Sequence, residues 1–180
     1  MGTEFSSAIS NYNKTKCILT EAQIRMLEDN THMSREEIKE WYQAFMIEYP
    51  DGSIDRNEFK AIIKKNYPKG NPDMYARMAF KAFDKDQNKK ITFDEFMLAT
   101  SFIITGNRDP RKTAENSFNM YDINGDGKIN REELGMMLTA IYNLLNLDTR
   151  QVRNKRDEVL KRYDVNINGS LNKGEFIEFM

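Results

Sequence analysis

The sequence predicts an all-α fold: four helix–loop–helix units in two paired lobes, with short β-bridges between the loops. Three observations predict it. A twelve-residue pattern rich in side-chain oxygens recurs four times along 180 residues, and internal repeats of this kind decide the architecture before anything else does. Apolar residues flank each copy at the i, i+3, i+4 spacing of amphipathic helices. The rest of the composition suits a globular chain, with 31% charged and 39% hydrophobic residues and 27 Lys+Arg against 28 Asp+Glu, a formal net charge of -1.

The same figures exclude several classes. Balanced charge removes the positive field on which a nucleic-acid binder relies, so no nucleic-acid partner is expected. One cysteine, Cys17, and one histidine, His32, supply neither an intramolecular disulfide nor a four-ligand zinc site. Both lie in the polar N-terminal region without a positioning motif, and no glycine-rich phosphate loop is present, so an enzyme is not expected. No apolar run approaches the roughly 18 residues of a spanning helix, and nothing at the start reads as a secretory leader. The expectation is a cytoplasmic protein.

The purpose of the oxygens is clearest in the third copy, Asp122-Ile123-Asn124-Gly125-Asp126-Gly127-Lys128-Ile129-Asn130-Arg131-Glu132-Glu133. Oxygen-bearing side chains stand at positions 1, 3, 5, 9 and 12, glycine at 6 and an apolar residue at 8. Calcium takes six to eight oxygens at about 2.3–2.6 Å, and alternate residues of a tightly wound loop can supply them. Lys128 offers its backbone carbonyl, Gly127 permits the sharp turn, and Glu133 is long enough to reach back from the following helix.

The remaining elements follow in chain order. Thr20-Glu21-Ala22-Gln23 and Ser34-Arg35-Glu36-Glu37 are capping-box patterns that open the first two helices. Tyr42 and Met46 lead into a broken first copy, Ile47 to Glu58. It keeps Gly52, Ile54 and Glu58 but has Ile47 and Tyr49 at the first two ligand positions and a stiffening Pro50, so no ion is expected there. Phe59, Ile62 and Ile63 resume the helix. Asn71-Pro72 places a cap before a first-turn proline, and Phe80 and Phe83 lead into the second copy. In that copy Asp84, Asp86, Asn88, Lys90 (by its carbonyl), Thr92 and Glu95 are the ligands, while Lys89 replaces the glycine. A non-glycine residue at positive φ costs about 1 kcal/mol, roughly a fivefold loss of affinity. Phe93 and Phe96 continue beyond it.

A connector, Thr105-Gly106-Asn107-Arg108-Asp109-Pro110, reads as a hinge or U-turn, and its last two residues open the next helix with Phe118 and Tyr121 on its apolar stripe. Leu134, Met137 and Leu138 follow the third loop. Asp148-Thr149 opens the helix carrying Val159, Leu160 and Tyr163 into the fourth loop. Its ligands are Asp164, Asn166, Asn168, Ser170, Asn172 and Glu175, with only two carboxylates among them, and Phe176 and Phe179 close the chain. Expected affinity falls from the third loop to the second to the fourth. Magnesium shares the preference for hard oxygens and is an alternative occupant of the second loop. Position 8 of neighbouring loops should pair, Ile54 with Ile91 and Ile129 with Leu171. The expected organisation is an extension over 1–19, a first pair over 20–105 and a second over 106–180.

With Trp41-Tyr42-Gln43-Ala44-Phe45, the disabled Tyr49-Pro50-Asp51-Gly52 loop, aromatic-Asp steps into the later loops and Tyr121-Asp122-Ile123-Asn124-Gly125-Asp126-Gly127, the chain resembles the neuronal calcium sensor family of the EF-hand superfamily from about residue 20 onward. Tyr49 departs from the cysteine usual in that family's first loop. The resemblance implies two to three calcium ions and an apolar groove on the N-terminal lobe that opens on calcium binding to take an amphipathic target helix. It does not say whether the target is a channel, a cyclase or a kinase. Groove candidates are Trp41, Tyr42, Phe45, Phe59, Ile62, Ile63, Phe80, Phe83, Phe96, Met97 and Phe102, all of which also suit a plain core. Only five residues follow Glu175, where the family continues with a segment that can cover the groove; either the protein lacks that internal competitor or the chain is shortened.

Met1-Gly2-Thr3-Glu4-Phe5-Ser6 fits the pattern for acylation of Gly2, though joined restriction sites also encode Gly-Thr-Glu-Phe. A peripheral membrane contact is the corresponding expectation. A calcium buffer with little opening, or a constitutive regulatory subunit of a channel, cyclase or phosphatase, are the alternative functions.

Overall fold

The computed structural model describes residues 19–31, 33–104 and 110–180. The expectations for Gly2, Cys17, His32 and the connector at 105–109 lie outside those residues, as does the side chain of Phe102. The described chain runs α1 (Glu21–Thr31), α2 (Arg35–Glu48), β1 (Ser53–Ile54), α3 (Arg56–Asn66), α4 (Asp73–Phe83), β2 (Ile91–Thr92), α5 (Phe93–Ile104), α6 (Pro110–Tyr121), β3 (Lys128–Asn130), α7 (Arg131–Leu144), a 3-10 turn (Thr149–Gln151), α8 (Val152–Tyr163), β4 (Ser170–Asn172) and α9 (Lys173–Phe179). No helix among the described residues is long and apolar enough to cross a membrane.

The helix starts follow the expected chemistry with one correction. Ser34 Oγ accepts from the Glu37 N–H at 3.3 Å while the Ser34 N–H donates to Glu37 Oε2 at 2.8 Å. Thr20 and Gln23 exchange the same pair of bonds. Asp148 Oδ1 accepts from the Arg150 N–H and opens the 3-10 turn that runs into α8. At α4 the proline is the cap itself rather than the first helical residue, and Asn71 Oδ1 instead accepts from the Asp73 N–H at 3.0 Å.

The chain divides into two compact units, Met1–Gly52 and Ser53–Met180, a boundary that falls inside the first loop. In the first unit α1 packs on α2, with Ile24, Leu27, Ile38, Phe45 and Met46 buried. In the second unit the strands form two antiparallel ribbons in the expected register, Ile54 opposite Ile91 and Ile129 opposite Leu171. All four side chains are fully buried. The position-8 residue therefore both closes its loop and anchors the core.

Around Ile129 and Leu171 the core gathers Phe118, Tyr121, Leu134, Met137, Val159, Leu160 and Phe176. Phe176 stands edge-on to Phe118 at 5.7 Å and to Phe179 at 5.9 Å, the offset geometry that aromatic quadrupoles favour. Phe59 makes similar contacts with Phe80 and Phe83 at 5.8 and 5.3 Å.

The α3–α4 connector is seated on the end of α7. The Asn71 N–H donates to the Asn143 carbonyl at 2.8 Å, and Lys64 Nζ donates to the Gly70 carbonyl at 2.8 Å. A Cβ on Gly70 would lie 1.7 Å from the Leu144 carbonyl oxygen, so only glycine permits this approach.

Candidate metal centres

Position 9 of the first, third and fourth loops is the N-cap of the helix that leaves it, and position 12 is its N3 residue. Asp55 with Glu58, Asn130 with Glu133 and Asn172 with Glu175 form complete capping boxes. In the second loop the Thr92 N–H and hydroxyl donate to Glu95 Oε2 at 2.9 and 3.0 Å. These boxes were legible as Ser/Thr/Asp/Asn-x-x-Glu patterns, but the ligand reading of the same residues masks them.

The other oxygen of each glutamate closes the loop. Glu95 Oε1 accepts from the Lys85 N–H at 2.8 Å and the Asp86 N–H at 3.4 Å. Glu133 Oε1 accepts from Ile123 and Asn124 at 3.0 and 3.1 Å, and Glu175 Oε1 from Val165 and Asn166 at 3.0 and 3.4 Å. One carboxylate thus links the first turn of the exit helix to the beginning of the loop. Glu133 and Glu175 are buried in these roles.

The position-1 aspartates curl the first half of each loop. Asp122 Oδ1 accepts from the Gly125 and Asp126 N–H groups at 2.8 and 3.1 Å, and Oδ2 from Gly127 at 2.9 Å. Asp164 accepts from Asn168 and Gly169 at 3.1 and 2.7 Å. Asn124 Oδ1 turns back to the Asp126 N–H and Asp126 Oδ1 to the Lys128 N–H; Asn168 Oδ1 accepts from the Ser170 N–H at 2.9 Å, and Asn166 Oδ1 from the Asn168 N–H at 3.2 Å. Lys90 and Lys128 are exposed.

The second loop is built differently. Asp84 is buried, its Oδ2 accepts from the Lys89 N–H at 3.0 Å, and its Oδ1 is buried without a hydrogen-bond partner. Asp86 and Asn88 continue the turn through bonds to Asn88 and Lys90. Oxygens of Asp84, Asp86 and Glu95 all lie within 4.8 Å of one another, and they are the one such group of three among the described residues. Two oxygens on opposite sides of a calcium ion stand up to about 5.2 Å apart, so the spacing fits. An orphaned buried carboxylate oxygen is costly unless a cation satisfies it. Both observations suit a divalent ion held by Asp84, Asp86 and Glu95. Lys89 adopts φ 68°, the left-handed conformation expected at position 6.

The first loop lacks this organisation. Ile47 is exposed, and the Tyr49 ring packs on Phe45 at 5.1 Å rather than offering an oxygen. The Gly52 N–H closes a turn on the Tyr49 carbonyl.

Of the groove candidates, Phe45, Phe59, Phe80 and Met97 are buried, Tyr42, Ile62, Ile63, Phe83 and Phe96 are half-buried, and Trp41 is exposed. A cavity of about 210 Å3 lies beside the second loop, with Glu95 and Lys85 in its wall. Among the described groove candidates, only Phe83 lines it. Tyr75, Ala82, Leu98, Ala99, Ser117, Met120 and Tyr121 supply the rest of its mainly apolar surface. Sequence reasoning missed these residues because they come from three helices, α4, α5 and α6, whose packing no local pattern encodes. Burial raises the pKa of both Tyr75 and Tyr121 above the ordinary phenol value.

Comparison with known proteins agrees with the geometry. Family models described as an EF-hand domain pair match residues 50–100 and 111–180. S-modulin of Aquarana catesbeiana is 30% identical over 186 residues, covering 99% of this chain and 86% of the relative. Recoverin of Homo sapiens is also 30% identical over 186 residues, covering 99% and 87%.

Proposed function

The chain belongs to the neuronal calcium sensor family of EF-hand proteins, sensors rather than enzymes, and from that premise we propose that it exposes apolar surface on binding calcium and regulates a target protein through an amphipathic segment. Calcium occupies the second and third loops and, more weakly, the fourth. Magnesium, which shares the preference for hard oxygens, competes in the second. The groove candidates that are buried here would have to be uncovered by helix movement.

One observation carries this reading: Glu95 is at once one of the three carboxylates gathered in the second loop, the N3 residue of α5 and part of the wall of an apolar cavity. A change in how its carboxylate is held shifts α5 and reshapes that wall. A ligand can move such an equilibrium only through a difference in affinity between the two arrangements, and Glu95 supplies the point at which the difference acts.

The test is a calcium titration followed by calorimetry, Trp41 emission and binding of an apolar dye. The expected result is heat accompanied by dye binding, with Glu95→Gln removing the dye response while the heat of the third loop persists. Heat without any dye binding would make the protein a buffer and overturn the proposal.

A further inference from the structure

The fourth loop exposes large apolar side chains where its sister loops have a polar, a half-buried or no side chain. Position 2 is Lys85 in the second loop, half-buried Ile123 in the third and Val165, 80% exposed, in the fourth. Position 4 is Gln87, Gly125 and Ile167, with φ of 59°, 73° and 57°. A β-branched residue is poorly suited to that left-handed conformation, yet Ile167 holds it with 88% of its surface in solvent. Two large aliphatic side chains therefore project from one ion loop.

The charges around this tip are sorted. In the basic stretch of α8, Asp157 is engaged by Arg131 and Arg156, and Glu158 by Lys155. Lys161 and Arg162, in the last turn before the loop, are exposed and form no ion pair among the described residues. The Arg162 guanidinium lies 5.2 Å from the Tyr163 ring at the mouth of the loop. The loop itself has two carboxylates, Asp164 and Glu175, which one divalent ion would neutralise, whereas Asp122, Asp126 and Glu133 would leave the third loop with a residual negative charge.

We propose that the tip of the fourth loop, Val165 and Ile167 flanked by Lys161 and Arg162, docks into an anionic lipid surface when an ion neutralises Asp164 and Glu175. Aliphatic side chains enter the interface while the two cations meet the headgroups, the pairing of apolar and electrostatic attraction that peripheral membrane contacts require. An apolar patch awaiting a protein would gain nothing from Lys161 and Arg162 unless that partner were acidic; a lipid surface uses both features at once. This contact shares with the sensor function only the ion of the fourth loop. It does not need the second loop, the cavity or acylation of Gly2.

The test uses the full chain made in bacteria, hence unacylated, sedimented with phosphatidylcholine vesicles with or without phosphatidylserine, in calcium or in chelator. The expected result is binding to the serine-containing vesicles in calcium, weakened by salt. Val165→Ser with Ile167→Ser should lower it at least about tenfold, and Lys161→Gln with Arg162→Gln should lower it by a similar factor. Ile167→Gly relieves the backbone and removes the side chain, so it should lose vesicle binding while melting no lower than the parent. Equal binding by parent and Val165/Ile167 variants, binding that persists in chelator, or no vesicle binding at all would each overturn the proposal, even if the tip then captured an acidic peptide. Dye binding and Trp41 emission in the same variants keep a failure here distinct from a failure of the sensor function.

Discussion

The first and second loops are joined across one ribbon, Ile54 opposite Ile91, and both end in a glutamate on the first turn of a helix. In both, one oxygen of that glutamate serves the helix it caps. Glu58 Oε2 accepts the Asp55 N–H at 2.7 Å and completes a capping box, and Glu95 Oε2 accepts the Thr92 N–H at 2.9 Å. Glu95 also reaches back with its other oxygen to the N–H groups of positions 2 and 3. Capping belongs to the helix and persists where the oxygen pattern fails, whereas the clasp in the second, third and fourth loops ties the exit helix to the start of its loop. A terminal glutamate alone is thus weak grounds for assigning metal binding.

The largest test of this distinction compares Glu133→Ala with Glu58→Ala. Removing Glu133 strips partners from the Ile123, Asn124 and Asn130 N–H groups around a buried position. It should cost about 3 kcal/mol in urea unfolding and abolish the calcium heat of the third loop. Glu58→Ala removes a cap alone and should cost about 1 kcal/mol, the ordinary value of an N-terminal box, with the calcium heats unchanged. Equal costs would erase the difference between clasp and cap.

A second change asks whether the loops can be compared as separate devices. Gly70 ties the α3–α4 connector to the end of α7, and a methyl group there meets the Leu144 carbonyl, a backbone atom that cannot swing away. Gly70→Ala should lower stability by about 2 kcal/mol with the heats of calcium binding retained. Heats altered in the third loop would mean that α4 and α7 pass its state to the second.

Much of this was legible from residue types. Both ribbon registers follow from one apolar residue at position 8, and the repeat itself from oxygens at alternate positions, because those demands are local. The conformation of Lys89 followed from the absent glycine. Positive φ at Gln87 and Ile167 did not, since position 4 carries no residue signature strong enough to announce the bend. The division at Gly52 and the cavity by Glu95 were also hidden, because each depends on which helices meet rather than on any one helix. The loop with the most regular sequence, the third, is not the one whose carboxylates gather most closely. Asp122 and Glu133 are each held by N–H donors, while Asp84 keeps one buried oxygen without a donor.

That contrast makes Lys89→Gly informative. It leaves Asp84, Asp86 and Glu95 in place and relieves a left-handed lysine at φ 68°. The second loop should bind calcium about fivefold more tightly, a gain of about 1 kcal/mol, read by calorimetry against an unchanged third loop. No gain would mean that the bend is already relaxed by its neighbours, and that the second loop's affinity is set by carboxylate geometry alone.

The smallest test isolates the cap from any loop. Ser34 and Glu37 form the same box as Asp55 and Glu58, but with no ion pattern before them. The hydrogen bond from the Ser34 backbone, then that from its hydroxyl, holds the Glu37 carboxyl below the ordinary carboxylate value. Because the folded value is the depressed one, the box stabilises α2 above the unfolded pKa, and that contribution disappears as pH falls through the folded pKa. A carbon-detected titration of Glu37 should show the lowered midpoint, and Ser34→Ala should move it only part of the way back, since the backbone donor remains. Full return to the ordinary value would assign the effect to the hydroxyl, and the box would then be a serine device rather than a feature of the helix terminus shared with the four loops.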